Sequence, residues 1–540
     1  MKAHCLPFSQ IPHTTSLFLD FLSYSQNLRS FYPHSPCFTD WFQEEAGKIK
    51  YDPSRRKQVA DILERQNKSW DASPQTLANL QRLRNGAAAV VTGQQVGLFG
   101  GPTFAIYKAL TAVKLAEQAT AAGVDAVPIF WLATYDHDLA EVNHVSLPGP
   151  EGAPRVLTTS SRDVPGAPVA AVRLGEDIGP LLEQAAQLVG DSEIMQFLRE
   201  AYRPGEFLGT AFARFYARVF AESGVIVLDA SDAELARIAA PVFRAAIERA
   251  GELSQALMAR GQALERAGYH QQVRVTSSSV LLFTAREGAR TPMQRRSDGA
   301  EFVIGAESTA QKISPTALLE SIASTPEQFS PNVLLRPIVQ DYLLPTLVYT
   351  GGAAEAAYFA QAGAVYELLL GRVTPIVPRF SATLVEPKVQ RLLERHGITV
   401  PEVFTDPDTL RRELAEKNLP ADLQEAFDSA RKSLETHFTS VKEKLVKLDR
   451  TLVDAAETSR SKIDHQLERL HSQIARAQAL KSELVNRHAE MLAHSLYPER
   501  ELQERGIGGI YFLARYGREF LHLLRDIIHP DCQDHQIIEL

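Results

Sequence analysis

Cysteine is scarce in this chain of 540 residues, which contains three such residues, Cys5, Cys37 and Cys532. They are far apart in the sequence and form no CxxC pair, so neither a disulfide framework nor a paired-cysteine metal motif is predicted. No neighbouring residue supports a catalytic thiol. We interpret the three cysteines as buried or incidental thiols.

Long apolar runs are also missing. No uninterrupted apolar segment approaches the ~20 residues that a transmembrane helix requires. Polar residues and prolines such as His4, Pro7 and Ser9 interrupt the N-terminal region. The sequence therefore predicts no signal peptide and no membrane partner, and we expect a cytoplasmic protein.

An excess of positive charge is the third absence. The chain has 57 Lys and Arg against 65 Asp and Glu, a net charge of −8. No stripe rich in Lys and Arg is long enough for a nucleic-acid partner, so none is predicted. Small charged metabolites are favoured as ligands, and the length is typical of three or four structural units.

Both common glycine motifs for nucleotides are absent as well. Gly93, Gly97, Gly100 and Gly101 fit neither GxGxxG nor GxxxxGK[ST]. This spacing disfavours an ordinary Rossmann dehydrogenase and a P-loop NTPase.

A strand, a glycine loop and a helix are nevertheless present in that order. Residues 87–91 form a short apolar run typical of a buried strand, and a helical pattern begins near Thr103 and ends before Gly123. A second apolar strand follows at residues 124–133. This β-loop-α-β order predicts an α/β fold with a parallel sheet.

The glycine loop is the first candidate binding site. Loop amides and a helix N-terminus favour an anion, and glycine lets a ligand approach the backbone. The candidate cofactor-binding residues are Gly93, Gln94, Gln95, Gly97, Gly100, Gly101 and Thr103. The alternative is a glycine-rich turn needed only for tight packing of strand and helix.

Two further polar segments follow apolar strands, where an open α/β sheet places its ligands. The first contains Asp136, His137 and Asp138 and is followed by Asn143 and His144. The second covers residues 330–380. Its candidate binding residues are Asn332, Arg336, Gln340, Gly351, Gly352, Glu355, Tyr358 and Arg379.

A different pattern begins after Pro420. Apolar residues repeat at intervals of three and four, with charged residues and glutamine at most other positions. The apolar positions include Leu423, Phe427, Leu434, Phe438, Val441, Leu445, Leu448, Leu452, Ile463, Leu467, Leu470 and Ile474. The pattern predicts a coiled coil, either one long helix or two helices joined near Thr458, that makes a homodimer. The alternative is an amphipathic helix docked on the core.

The resulting domain prediction has six parts. A helical segment (1–86) precedes the first half of the core (87–147) and an insertion (148–222). The second half of the core with a second insertion (223–400), a coiled coil (401–498) and a C-terminal segment that packs back on the core (499–540) complete it.

With these residues in place, the chain closely resembles the cysteine-adding family of bacillithiol biosynthesis, BshC. The matching motifs are TGQQVGLFGGP at 92–102, PIFWL at 128–132, DHD at 136–138, NH at 143–144, FSPN at 329–332, LRP at 335–337, LPT at 344–346, GG at 351–352, IVPR at 376–379 and YF at 511–512.

The resemblance implies a Rossmann-type core similar to class I aminoacyl-tRNA synthetases, with insertions and a dimeric coiled coil. It also implies a ligase that joins the carboxyl group of cysteine to the amine of glucosaminyl malate. The chain departs from the synthetase pattern because it has neither a HIGH tetrapeptide nor a KMSKS-like loop. A synthetase-like nucleotidyl or aminoacyl transferase with another acceptor, or a non-catalytic dimeric metabolite-binding protein, are the alternatives.

That reaction assigns roles to the candidate residues. ATP is the expected activator of the carboxyl group, held by the glycine loop. His137, flanked by Asp136 and Asp138, is the candidate base for the amine, and a structural loop histidine is the alternative. Asp136, Asp138, Asn143 and His144 could instead hold a metal, although no metal is predicted.

The remaining candidates are assigned to the substrates. The guanidinium of Arg336 suits a carboxylate, with a salt bridge to Asp341 or Glu355 as the alternative. Gly351 and Gly352 form either a second anion site or a plain turn. Lys108, on the first helix, is expected to be a solvated lysine, with a contact to phosphate as the alternative.

Overall fold

A five-stranded parallel sheet forms the centre of the computed structural model, which describes residues 2–150, 152–160, 165–296, 299–305, 310–528 and 533–540, with the backbone alone at 476 and 478–481. Cys532 lies outside these ranges. The strands of the central sheet are β1 (Ala88–Gln94), β2 (Ala126–Leu132), β3 (Ile226–Asp229), β4 (Thr346–Gly351) and β5 (Ile376–Pro378). Their order is β5-β4-β1-β2-β3, and every neighbouring pair is parallel. The predicted α/β fold with a parallel sheet is confirmed.

The central strands are apolar because helices cover both faces of the sheet. Ala89 and Val91 of β1 pack with Ile62 of an N-terminal helix. Val90, on the opposite face, packs with Leu115 of α1 (Thr103–Ala121), which connects β1 to β2. Side chains that alternate along β1 thus enter two different buried clusters.

The N-terminal region supplies helices to both faces of the sheet, since Phe42 packs with Val90 and Leu115 on the opposite face. Its helices are Ser16–Leu22, Phe42–Lys48, Pro53–Ser69 and Pro74–Asn85. Asp52 and Ser73 cap the last two by accepting hydrogen bonds from the amides of Arg55 and Thr76. A proline follows each cap in the first helical turn. Proline is tolerated there because a backbone N–H at that position has no acceptor within the helix.

An insertion separates β2 from β3. It contains the hairpin of His144–Pro148 with Pro154–Thr158, and the helices Leu139–Val142, Ile178–Val189, Glu193–Ala201 and α2 (Leu208–Val219).

A second insertion separates β3 from β4. It contains the helices Ala233–Glu248, Ala250–Arg266, Pro315–Ser324 and Arg336–Leu343. Its antiparallel sheet has the strand order Gln311–Ile313, Phe302–Ile304, Ala289–Arg295, Ser279–Arg286, Phe329–Pro331. Helix α3 (Ala353–Leu369) then connects β4 to β5.

Residues beyond β5, together with the N-terminal strand Lys2–Leu6, form a second unit around a three-stranded sheet. Its strands are Lys2–Leu6, His535–Glu539 and Ala382–Val385, so both ends of the chain meet there. Its helices outside the coiled coil are Pro387–His396, Val400–Val403, Pro407–Lys417, Glu483–Leu496, Gln503–Gly506, Gly509–Tyr516 and Glu519–Ile527. Ile510 and Phe512 share a buried cluster with Ile106 of α1, which joins this unit to the central sheet.

The coiled coil is an antiparallel hairpin of α4 (Ala421–Leu448) and α5 (Val453–Lys481). His471 lies against Gln424 at the base, and Arg460 bonds to Glu435 further out. Of the two forms that the sequence left open, the two-helix form is the observed one, and the turn lies at Arg450–Leu452 rather than near Thr458. Among the described helices, none has the length and apolar character needed to cross a membrane.

Candidate active site

A cleft of about 600 Å³ opens at the carboxyl edge of the central sheet. Residues that follow β1, β2 and β4 line it, as does Arg379 directly after β5. Asn332 and Arg336 enter from the second insertion. The glycine loop, residues 136–138 and residues 332–336 each contribute at least one lining residue.

Only the first part of the glycine loop faces the cleft. Gly93, Gln94 and Gln95 line it. The side-chain Nε2 of Gln95 donates to Asp136 Oδ2 at 2.5 Å and to Glu141 Oε2 at 2.7 Å. These two hydrogen bonds connect the loop after β1 to the segment after β2.

The rest of the loop is packed into the protein. Gly100, with φ of 87°, donates its amide to the Tyr202 hydroxyl at 3.1 Å, and a Cβ atom there would lie 2.7 Å from the ring of Phe215 on α2. Gly97 and Gly101 stack on each other, since a Cβ atom at Gly97 would lie 2.8 Å from Gly101 Cα. The packing alternative therefore describes Gly97, Gly100 and Gly101, which lie outside the cleft lining.

The N-terminus of α1 is covered as well. The amide and hydroxyl of Thr103 both donate to the carbonyl of Ile507, at 2.9 and 2.8 Å. The C-terminal unit thus occupies the helix end at which the sequence predicted an anion, because Ile507 and Thr103 are distant in sequence but adjacent in the fold.

A buried ionic cluster forms the floor of the cleft. Lys108 Nζ donates to the carbonyl of Gly93 at 2.7 Å, to Gln94 Oε1 at 2.9 Å and to Glu355 Oε1 at 2.8 Å. Only 4% of Lys108 is exposed, so the expectation of a solvated lysine is wrong. Burial lowers the pKa of Lys108 to about 8, although the charge of Glu355 opposes the shift.

Glu355 connects this cluster to α3. Its Oε1 also accepts from the Tyr349 hydroxyl at 2.6 Å, and its Oε2 accepts from the amide of Gly352 at 2.7 Å. Burial alone would raise the pKa of this carboxyl, but Lys108 and these hydrogen bonds lower it. Glu355 is therefore both a charged helix cap and the ionic partner of Lys108. Its hydrogen bond from Gly352 fixes the turn at Gly351 and Gly352.

Arg336 lies in the cleft without a carboxylate partner among the described residues. Its guanidinium donates to Gln340 Oε1 and to the Tyr358 hydroxyl, each at 3.0 Å. It also lies 5.0 Å from the centre of the Tyr349 ring. Asp341, one of the two alternative partners, instead accepts hydrogen bonds from Gln340 and Tyr366.

His137 lies outside the cleft lining, next to Asp136, and 41% of its side chain is exposed. Its Nδ1 lies 3.6 Å from Asp136 Oδ1 and 3.4 Å from Arg290 Nη1. Asp138 is exposed beside it, while Asp136 lines the cleft.

Asn143 and His144 lie outside the cleft lining, at the start of the hairpin in the first insertion. His144 Nδ1 lies 3.1 Å from the carbonyl of Ala140. Among the described residues, no group of three or more His, Cys, Asp or Glu side chains is arranged to hold a metal ion.

Arg379 closes the far side of the cleft. Its Nη2 donates to Glu504 Oε1 at 2.6 Å, and only 7% of its side chain is exposed. Glu504 is held in turn by Ser381 and by the amide of Ala382. Ser381 also bonds to His535, whose burial lowers its pKa to about 4 and keeps it neutral. The second unit thus positions a basic side chain of the cleft.

Sequence reasoning missed several lining residues, notably Phe104, Arg290 and Arg505. Phe104 and Lys108 are four residues apart on α1 and so share a helix face, a signal that was available. Arg290 comes from a hairpin and stacks on Phe283 at 3.8 Å. Arg505 lies far along the chain in the second unit. Neither arginine has a local sequence signal.

These features define a class of protein: a Rossmann-like α/β core with a basic cleft at its carboxyl edge and a C-terminal coiled coil. The family model for the N-terminal Rossmann-like domain of bacillithiol biosynthesis BshC matches residues 1–380. The model for the C-terminal coiled-coil domain of the same family matches residues 382–540. The chain belongs to the BshC family of bacillithiol biosynthesis.

Similar curated proteins carry the name "Putative cysteine ligase BshC". One from Koribacter versatilis is 46% identical over all of both chains, and one from Solibacter usitatus is 35% identical over all of both. One from Geobacillus kaustophilus is 30% identical over 98% of each chain. The interpretation as a ligase of bacillithiol biosynthesis agrees with these names.

A crystal structure titled as a putative arginyl-tRNA synthetase from Campylobacter jejuni is also similar. It is 10% identical, with a TM-score of 0.23, over 84% of this chain and 99% of that chain.

Proposed function

We propose that this protein forms an amide bond between the carboxyl group of cysteine and the amine of glucosaminyl malate, in the cleft at the carboxyl edge. Membership of the BshC family and the names of its relatives support the reaction class. Small-molecule ligands suit a concave site of this volume. We place the reaction in the cytoplasm.

The charge of the cleft is the observation that carries the proposal. Five basic side chains line it, Lys108, Arg290, Arg336, Arg379 and Arg505, against two acidic ones, Asp136 and Glu355. Arginine binds carboxylate and phosphate groups in a bidentate manner. Cysteine and glucosaminyl malate both carry carboxylates, so the cleft offers complementary charge to both.

Amide formation from a free carboxylate is unfavourable in water, so the carboxyl group must first be activated. We propose ATP as the activator. Gly93, Gln94 and Gln95 offer it backbone and amide groups, and the basic side chains offer charge for its phosphates. Because α1 is covered at its N-terminus, the phosphates are assigned to these groups rather than to Gly97, Gly100, Gly101 and Thr103.

The test is a reaction of the purified chain with cysteine, glucosaminyl malate and ATP, followed by mass spectrometry of all products. Amide product with AMP would indicate an adenylate, and product with ADP an acyl phosphate. Product that forms without ATP would remove the nucleotide from the proposal. Binding of both substrates without any product would favour the non-catalytic alternative.

His137 is proposed as the base that accepts the proton of the amine. In the tautomer that this role requires, Nδ1 carries the proton and faces Asp136, and Nε2, which has no hydrogen-bond partner among the described residues, accepts the proton of the amine. We expect His137→Ala to lower kcat by ~100-fold, the usual contribution of a general base, with little change in the KM for cysteine. The matched control is His144→Ala, an exposed histidine outside the cleft. Equal rates in the two variants would leave His137 a structural role only.

We further propose that the coiled coil pairs with a second copy of the chain. Val446 and Leu448 near the tip of the hairpin are 56% and 78% exposed, and Val441, Leu452, Ile463 and Leu470 are also exposed. A row of exposed apolar side chains on one hairpin is typical of an interaction surface.

Changing the apolar tip should therefore separate the copies. We expect Val446→Glu with Leu448→Glu to give a monomer by light scattering, because charges would be buried without partners. Thr439→Glu with Ser440→Glu, at exposed polar positions of the same helix, is the control and should remain dimeric. A dimer in the tip variant at the same concentration would contradict the proposal.

A further inference from the structure

A second, smaller chamber adjoins the cleft. It has a volume of about 380 Å³ and lies between the N-terminal segment around residues 8–18 and the C-terminal segment 497–505. Gly352, Arg379 and Arg505 line both spaces, so the two chambers meet at these three residues.

The junction offers donors to a carboxyl group. A Cβ atom at Gly352 would lie 3.4 Å from Arg379 Nε, so the guanidinium sits directly beside the N-terminal turn of α3. Arg379 uses Nη1 and Nη2 for Phe380 and Glu504, and its Nε has no hydrogen-bond partner among the described residues. The N-terminus of α3 is already capped by Glu355, so the free Nε of this nearly buried guanidinium is the donor that suits an anion.

Two exposed side chains of opposite charge line the chamber beyond the junction. Arg500 and Glu501 line it, and neither forms a side-chain ion pair or hydrogen bond within the described parts of the chain. His13 and Arg500 both have φ of 63°, a costly conformation for residues other than glycine. Such strain often occurs at ligand sites.

The other wall is apolar. Phe8, Ile11 and Phe18 line it, and the rings of Phe8 and Phe18 pack edge to face at 5.2 Å between centres. Aromatic rings make favourable contacts with sulfur. The chamber therefore combines an anion site, an acidic side chain and a wall that accepts a thiol.

We infer that this chamber binds the amino acid, with its carboxyl group at Arg379 and Arg505, its ammonium near Glu501 and its thiol against Phe8 and Phe18. The inference rests on the proposed function for the identity of the amino acid as cysteine. It assigns the smaller chamber to the smaller substrate and leaves the cleft to glucosaminyl malate and ATP. The carboxyl group would then lie where the two chambers meet.

The test is calorimetric binding of L-cysteine to the full chain. Two further probes are cysteamine, which lacks the carboxyl group, and 3-mercaptopropionate, which lacks the amine. We expect each probe to bind at least tenfold more weakly than cysteine. Glu501→Gln should weaken the binding of cysteine by about tenfold, the effect of one charge-assisted hydrogen bond. The affinity for 3-mercaptopropionate should not change.

A blocking variant tests the location. Thr14 lines the chamber, and Thr14→Trp should abolish cysteine binding while glucosaminyl malate still binds. Ser16→Trp, an exposed position outside the lining, is the matched control and should bind both as the unchanged chain does. Cysteine binding that survives both Thr14→Trp and Glu501→Gln would overturn the inference, even if amide product forms. Absence of product from the unchanged chain would instead overturn the proposed function.

Discussion

Lys108→Met is expected to destabilise the protein by about 3 kcal/mol and to slow product formation at least tenfold. The reason for the lost stability is that the carboxylate of Glu355 would remain in a largely buried site without its cation, which is strongly unfavourable. The reason for the lost activity is that Gln94 and the turn at Gly352 are both held through this pair.

A double-mutant cycle separates the two effects. Lys108→Met with Glu355→Gln removes both charges, so we expect it to recover most of the stability, measured by denaturant unfolding, without recovering the activity. Strictly additive losses of stability in the cycle would show that the pair is not coupled. Full activity in the double variant would show that the cluster does not organise the cleft.

Gly100→Ala is the second substitution with a large expected effect, a loss of about 3 kcal/mol. The new Cβ would lie 2.7 Å from the ring of Phe215, and the backbone has φ of 87°. Overpacking of a buried site costs about 1–3 kcal/mol, and a left-handed conformation adds about 1–2 kcal/mol for a residue with a Cβ.

The chain provides a matched control for the backbone contribution. Gly123 has φ of 91° with nothing within 4 Å of its ideal Cβ position. Gly123→Ala should therefore cost only the conformational part, about 1–2 kcal/mol. Equal unfolding free energies for the two variants would contradict the packing of Gly100 on α2. A stable Gly100→Ala variant that has lost only nucleotide binding would show that this half of the loop belongs to the nucleotide site.

The sequence predicts the central sheet well because the cause of the pattern is local. Residues 88–91 and 126–132 are apolar on both faces, and a sheet covered by helices on both sides requires this. Polar residues that follow these strands, such as Gln95 and Asp136, therefore predicted that the ligand site lies at the carboxyl edge of the sheet, where the cleft is found.

The parts that sequence reasoning missed depend on distant contacts. Gly93 and Gly100 belong to one glycine-rich run, yet one faces the cleft and the other packs on α2, which begins more than a hundred residues later. Nothing in the sequence distinguishes Lys108 from other helix lysines. Its buried position depends on Glu355 and the carbonyl of Gly93, which are adjacent to it only in the fold. Arg505 reaches the cleft only because the second unit folds back onto α1.

The most direct test of the account is the rate of amide product formation by the unchanged chain and by Arg336→Met, measured by mass spectrometry with cysteine, glucosaminyl malate and ATP. Arg336 lies in the cleft and has no carboxylate partner among the described residues, so we assign it to a substrate carboxylate. We predict product from the unchanged chain and a rate at least 100-fold lower in Arg336→Met, with both proteins folded at the assay temperature. Product at equal rates from both would contradict the assignment of this cleft as the active site.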